Sequence, residues 1–122
     1  MTKTIMIVDE SPCTRTVVGS ALRGEGYTVI EATNGQDAIS KLTGQTVNLI
    51  ISDVHMPVMD GITFVKNAKA MDAYRCTPII ILTTESDEAR KREGWAAGAK
   101  AWMVKPFRPE KMLGAVHKLC LP

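Results

Sequence analysis

Residues 47–61, VNLIISDVHMPVMDG, decide how the rest of the chain is read. Leu49-Ile50-Ile51 is too short for a helix and rich in β-branched side chains, so it reads as a strand buried on both faces. The run stops at Asp53, and Pro57 with the pair Asp60-Gly61 marks a loop before the next helical pattern. A carboxylate at the end of a buried strand either caps the next segment or is a reactive group on a rigid floor. The neighbouring strands decide which.

Working outward, three more stretches are built the same way. Ile5-Met6-Ile7-Val8 is apolar and ends in Asp9-Glu10; Pro78 opens Ile79-Ile80-Ile81-Leu82, which ends in Thr83-Thr84-Glu85. A strand from Ala99 to Val104 ends at Lys105-Pro106, and Tyr27 to Glu31 supplies a fifth. Helical patterns lie between them. Ser11-Pro12 starts one, as N-cap and first helical residue, with Val17, Val18, Ala21 and Leu22 recurring at helical spacing and Gly24 and Gly26 as the stop. Asn34-Gly35 opens a helix whose apolar face is Ala38, Ile39 and Leu42, with Gly44 beyond it. Another starts near Gly61 and carries Ile62, Phe64, Val65 and Ala68. Ser86 is the expected cap of a polar, alanine-rich helix through Ala97, closed by Gly98. Pro109 starts the last helix, with Met112, Leu113, Val116 and Leu119 as its buried stripe.

Five strands alternating with five helices predict an α/β fold, a parallel sheet with helices on both faces. Right-handed crossovers prune the possible orders, and the flavodoxin-like, doubly wound order 2-1-3-4-5 is the one expected here. That order makes strands 1, 3, 4 and 5 neighbours. Their carboxyl ends then carry Asp9-Glu10, Asp53, Thr83 and Lys105 to one crevice, where ligands bind in open α/β sheets.

The chain has 122 residues, enough for one domain, expected over residues 1–122. Its formal net charge of +2 is too mild and too scattered to argue for nucleic acid. Arg90-Lys91-Arg92 reads most simply as a solvated helix face. The three cysteines, Cys13, Cys76 and Cys120, lack metal-ligand spacing and suit a reducing, cytoplasmic setting. Neither an export signal nor a membrane span is indicated. The seven methionines are read as core filler, and His55 and His117 are not spaced as a metal pair. Trp95, on a polar helix, is a candidate partner contact.

The crevice would bring Asp9, Glu10 and Asp53 within a few ångströms of one another. Two unit charges about 4 Å apart repel by about 4 kcal/mol at an effective dielectric of about 20, so three ionised acids need a cation. Oxygen ligands without soft groups suit Mg²⁺, and Lys105 can neutralise part of the remainder. A carboxylate can also be a nucleophile that forms an aspartyl-phosphate. Asp53, between the acid pair and Thr83, fits that role best, because phosphoryl transfer asks mainly for positioning and charge neutralisation.

The acidic pair, the D-x-x-M-P-x-x-x-G run from Asp53 to Gly61, Thr83 and Lys105-Pro106 occur in order, each at the end of an expected strand. In this the whole chain resembles the receiver domain of two-component response regulators, of the single-domain chemotaxis (CheY-like) type. The resemblance implies that a histidine kinase phosphorylates Asp53. It implies Mg²⁺ held by Asp9, Glu10, Asp53 and the backbone carbonyl of His55. Lys105 would contact the phosphoryl group, with the Lys105-Pro106 bond cis. Thr83 would move toward the phosphoryl oxygen, and Trp102 would repack and alter the face of the fourth helix, fifth strand and fifth helix. His55, Thr84 and Glu85 occupy positions that tune phosphoryl lifetime. The sequence departs from the common pattern in having Glu10 for a second Asp, Thr84 for Ala or Gly, and Trp102 for Tyr or Phe.

The implied function is a phosphorylation-controlled switch rather than an enzyme. It would act as a monomer, without nucleic acid or membrane, on a partner such as a flagellar motor switch, since the chain ends at Pro122 just past the fifth helix. A phosphate sink that drains the kinase is the alternative. A flavodoxin-like cofactor carrier is disfavoured by acids after the first strand, where a phosphate cradle would stand. A phosphohydrolase would need a second Asp where His55 sits. A receiver that is never phosphorylated sits poorly with the full set of Asp53, Thr83 and Lys105.

Overall fold

Hydrophobic strands with no polar face must be covered on both sides, and that requirement builds the molecule. The computed structural model describes residues 3–120; Pro122, where the chain ends, lies outside them. Five strands, β1 (Thr4–Val8), β2 (Thr28–Ala32), β3 (Leu49–Ser52), β4 (Ile79–Thr83) and β5 (Ala101–Val104), form one parallel sheet in the order β2-β1-β3-β4-β5. The helices are α1 (Pro12–Gly24), α2 (Gly35–Leu42), α3 (Gly61–Ala70), α4 (Glu88–Ala97) and α5 (Pro109–Leu119). The α/β class and strand order are those expected from the sequence. No helix among the described residues is long and apolar enough to cross a membrane.

The period-2 alternation of each strand sorts its side chains into two cores. Met6, Val8, Ile50, Ile79 and Ile81 face one way, with Ala38 and Leu42 of α2 and Phe64 and Val65 of α3. Ile5, Ile7, Leu49, Ile51, Ile80 and Leu82 face the other, with Val18 and Leu22 of α1 and Met112 and Val116 of α5. Every residue of β3 and β4 is buried, which is why both read as unbroken apolar runs.

Helix ends follow local chemistry, with some shifts from expectation. Ser11 caps α1 by accepting the Thr14 N–H, and Asn34 caps α2 by accepting that of Asp37. The cap of α4 is Asp87, not Ser86: the Asp87 carboxylate accepts the N–H groups of Ala89 and Arg90, at 2.7 and 3.4 Å. At that position the Asp87 charge also meets the positive helix end. The fifth strand starts two residues late, because the Ala99 N–H is used by the Gly94 carbonyl in closing α4, where Gly98 turns with φ of 120°. Val17 is 47% exposed, since Val18 and Leu22 take the sheet-facing stripe of α1 and Val17 points about a quarter-turn away. A 3-10 turn, Asp72–Tyr74, was not expected. It exists to bury Tyr74, whose hydroxyl donates to the carbonyls of Leu42 and Gln45.

The loop after β3 is the tightest part of the fold. Its Gly61 N–H donates to the Val54 carbonyl at 2.9 Å, and a Cβ added at Gly61 would meet the Asp53 carbonyl oxygen at 1.9 Å. Backbone cannot yield to such a contact. Gly61→Ala should therefore destabilise the protein by at least about 2 kcal/mol in urea unfolding. Gly114, exposed in the middle of α5 with nothing within 4 Å of an added Cβ, should respond oppositely. Gly114→Ala is expected to stabilise by about 0.5–1 kcal/mol.

Candidate functional site

Sheet register does most of the assembly. Val8 pairs with Ser52, and the Asp53 N–H donates to the Val8 carbonyl at 2.9 Å, so Asp9 and Asp53 leave the sheet side by side. Thr83 pairs with Val104, and the Lys105 N–H donates to the Thr83 carbonyl at 2.7 Å, placing Lys105 one step beyond the same edge. The Lys105–Pro106 peptide is cis.

The side chains meet where those strands end. Lys105 Nζ donates to Asp9 Oδ2 at 2.8 Å and to Asp53 Oδ2 at 3.2 Å. The other oxygens are held by backbone: Asp9 Oδ1 accepts the Ser11 N–H at 2.9 Å, and Asp53 Oδ1 accepts the N–H of Val54 at 2.6 Å and of His55 at 3.3 Å. Asp9 and Asp53 are 3% and 9% exposed, so these charges interact in a poorly screened place. Burial alone would push the Lys105 ammonium down. The Asp9 and Asp53 carboxylates outweigh it and hold Lys105 above the ordinary lysine range.

Glu10 does not join this group. It is exposed, and among the described residues no three His, Cys, Asp or Glu side chains converge into a cation cage. The expected cluster of three carboxylates is thus two carboxylates and an ammonium. In the turn that leads into α1, Asp9 points inward and takes the Ser11 N–H, while Glu10 faces solvent.

That donor set still discriminates between metals. Oδ2 of Asp9 and Oδ2 of Asp53 already converge on one positive centre, and both are hard oxygens. Two carboxylates suit Mg²⁺, which accepts one or two carboxylates and keeps several waters. Zinc prefers several nitrogen or sulfur ligands, and His55, whose ring is turned to Glu85, is the one such side chain named at this edge.

Around the cleft stand the remaining sequence candidates. Thr83 is fully buried, and its Oγ1 accepts the Glu85 N–H at 3.3 Å, which leaves its own hydroxyl hydrogen to donate. Thr84 is exposed. His55 Nε2 lies 3.5 Å from Glu85 Oε1, joining the loops after β3 and β4. Trp102 is half-buried, and its indole N–H donates to the Glu85 carbonyl at 2.9 Å. Trp95 is 49% exposed on α4. His117 is not near a metal site; it meets Tyr27 and Glu25 at 2.9 and 3.1 Å. Cys13 and Cys76 are exposed and unpaired, whereas Cys120 is buried, which pushes its thiol up.

Sequence reasoning missed two contributors. Arg15 donates to the Asp9 carbonyl at 2.7 Å while its Nε meets Glu31 at 3.2 Å, fixing the backbone beneath the acid. Gly94 makes room for Trp102: an added Cβ would meet indole carbon at 2.6 Å. A lone glycine inside the polar stretch 88–97 was the available signal. Gly94→Ala should push the indole off α4, seen as a shift in Trp102 fluorescence in a Trp95→Phe background, with no comparable shift from Gly114→Ala.

Comparison with known proteins agrees with the geometry. The model of the response regulator receiver domain family matches residues 5–117. Bacillus subtilis chemotaxis protein CheY is 34% identical over 119 residues, covering 97% of this chain and 98% of that protein. Two longer relatives are matched over 13% and 47% of their own length, so the chain spans less than half of those proteins. Vibrio cholerae chemotaxis protein CheY4 superposes with a TM-score of 0.93 at 40% identity, over 98% of this chain and 99% of that one. The receiver domain of a Pseudomonas aeruginosa sensor histidine kinase, with magnesium coordinated in its active-site cleft, superposes at 0.90 with 26% identity, over 98% of each chain. The chain belongs to the response regulator receiver domain family of two-component signalling systems.

Proposed function

We propose that this receiver is a phosphorylation-controlled switch whose phosphoacceptor is Asp53, supplied by a histidine kinase. The observation that carries the proposal is the asymmetric holding of the Asp53 carboxylate. Two backbone N–H groups fix Oδ1, while Oδ2 faces only the ammonium of Lys105, carried on a flexible stem. Oδ2 is therefore the atom positioned to attack. It forms the new O–P bond as the P–N bond of the donor phosphohistidine breaks, its electron pair returning to the imidazole.

Asp9 and Asp53 would hold Mg²⁺, with Glu10 on the solvent side and the His55 carbonyl completing the protein ligands. Bound there, Mg²⁺ would supply positive charge to the phosphoryl oxygens. Lys105 would then turn its ammonium to the phosphoryl group. The free hydroxyl hydrogen of Thr83 would bond one phosphoryl oxygen. His55, Thr84 and Glu85 stand at the mouth, where they would set how readily water reaches the acyl phosphate.

Output would pass through Trp102, which touches the Glu85 carbonyl at one end and Gly94 at the other. Next to it lies a groove of about 410 Å³ lined by Trp102, Val104, Pro106, Phe107, Arg108 and Lys111. A groove that joins apolar side chains to the cations Arg108 and Lys111 supports a protein partner on the β5-α5 part of the α4-β5-α5 face. The chemotaxis relatives favour a motor-type or related chemotaxis partner. Use as a phosphate sink predicts no gain of partner affinity on phosphorylation.

Two measurements test the site. Mg²⁺-dependent labelling by acetyl phosphate should vanish in Asp53→Asn and persist in Asp60→Asn; equal labelling of wild type and Asp53→Asn would exclude Asp53. Lys105 gives a pH test. Its raised native value means its contribution is complete below the ordinary lysine value near pH 10.4 and disappears as pH rises through the native one. Lys105→Met should lose about 2–4 kcal/mol at pH 7, by stranding two buried carboxylates, and should lack the wild type's extra loss of stability above about pH 10.

A further inference from the structure

The backbone that carries Asp9 is held from outside the cleft. Its N–H donates to the Ala32 carbonyl at the end of β2, at 3.1 Å. Its carbonyl takes no backbone N–H among the described residues and accepts Arg15 Nη1 at 2.7 Å instead. The same guanidinium turns its Nε to Glu31 Oε1 at 3.2 Å. Glu31 stands on β2 opposite Ile7 of β1, and side chains so paired share a face, here the one covered by α1. Both peptide groups that flank the Asp9 Cα are therefore tied to β2, one directly and one through Arg15.

These contacts reinforce one another. The Arg15 side chain is only 15% exposed, so water competes weakly for its bonds, and a cation binds a carbonyl more strongly than a neutral donor does. The other oxygen of Glu31 is held at 3.3 Å by Arg23 Nη2, about two turns further along α1. Between the two arginines lies Gly19, buried, where an added Cβ would meet Arg23 Nη1 at 3.0 Å. With both its oxygens engaged, Glu31 is a firm anchor for Arg15. Asp9 has need of one. Its Oδ1 accepts the Ser11 N–H from its own turn, and its Oδ2 meets an ammonium on the flexible stem of Lys105.

We infer that Arg15 is a positioning residue for the divalent-cation site, fixing the Asp9 peptide so that Oδ2 of Asp9 stays directed where Oδ2 of Asp53 also aims. The inference rests on the reading of Asp9 and Asp53 as Mg²⁺ ligands. Arg15 bonds the carbonyl of Asp9 and not its carboxylate, so it acts through the backbone. The sign of its effect separates this role from a plain charge effect. A guanidinium beside the acids repels a dication, so its removal would tighten Mg²⁺ binding if the field alone counted. Removal of a support loosens binding, since groups that orient metal ligands are typically worth roughly 10–100-fold in affinity.

The test is a calorimetric titration of the full, metal-free chain with MgCl₂. Arg15→Met should raise the Mg²⁺ dissociation constant about tenfold, although it lowers the net charge. Arg15→Lys keeps the charge but has one ammonium for two partners, and should raise the constant about threefold, where a field effect alone would leave it unchanged. Arg23→Met takes a cation from the same Glu31 without touching Asp9, and should change the constant less than about twofold. The amide resonance of Ser11, whose N–H is bonded to the Asp9 carboxylate, should move in metal-free Arg15→Met and stay in place in Arg23→Met. An unchanged or lower constant in Arg15→Met overturns the inference. So does an equal rise in Arg23→Met, which would trace the effect to α1 as a whole. Where circular dichroism finds Arg15→Met unfolded, wild-type affinity in Arg15→Lys overturns it instead. A wild type that binds no Mg²⁺, or an Asp9→Asn variant that binds it as tightly, overturns the metal reading and the inference with it.

Discussion

Two buried carboxylates facing one ammonium are the constraint on which the structure depends. Asp9 and Asp53 are almost withdrawn from water, and their mutual repulsion is tolerable only because Lys105 reaches both, at 2.8 and 3.2 Å. That triad can form only if strands β1, β3, β4 and β5 lie side by side and in register. The apolar runs supply the energy for this. Each fully buried Ile, Leu or Val contributes roughly 1.5–3 kcal/mol, and β3 and β4 are built almost wholly of such residues. The hydrophobic sheet is the rigid floor, and its stability allows the ion triad to be held at its edge.

The triad is also incomplete in a useful way. Its three groups sum to one negative charge, and backbone N–H groups hold only one oxygen of each carboxylate. The remaining oxygens are directed at a cation that is itself on a flexible stem. Under the phosphoacceptor reading, a second cation or a phosphoryl group arriving there would rearrange this set. The first neighbours to feel such a change would be Thr83, fully buried at the end of β4, and Glu85, whose carbonyl holds the Trp102 indole and whose carboxylate meets His55. Gly94 lets that indole lie against α4. A continuous line of contacts therefore runs from the acid cleft to the β5 edge.

Much of this was legible in the sequence, for a definite reason. Buried parallel strands need uninterrupted β-branched runs, so Ile5–Val8, Leu49–Ile51 and Ile79–Leu82 announce themselves, and the first polar residue after each falls at the sheet edge. The α/β class follows from that; the 2-1-3-4-5 order is a choice among the doubly wound orders that right-handed crossovers allow, and it brings the ends of β1, β3, β4 and β5 to one edge. What was not legible depends on single bonds or angles. Whether Ser86 or Asp87 caps α4 is decided by one residue of helical phase. Glu10 turns outward because its neighbour takes the Ser11 N–H. The seat of Trp102 on Gly94 joins residues from different elements, and the positive φ of Val58 goes against its own residue type. No periodicity encodes such features.

On the reading proposed above, the phosphoryl group rests on Asp53 and on no other side chain of the cleft. Chemical reduction tests it most directly, because borohydride converts an acyl phosphate to an alcohol and leaves free carboxylates untouched. After incubation with acetyl phosphate and Mg²⁺, reduction and peptide mapping should find homoserine at position 53 and unchanged Asp at positions 9 and 60. Homoserine at position 9, or a phosphoryl group carried instead on His55 or His117, would exclude Asp53 as the sole acceptor.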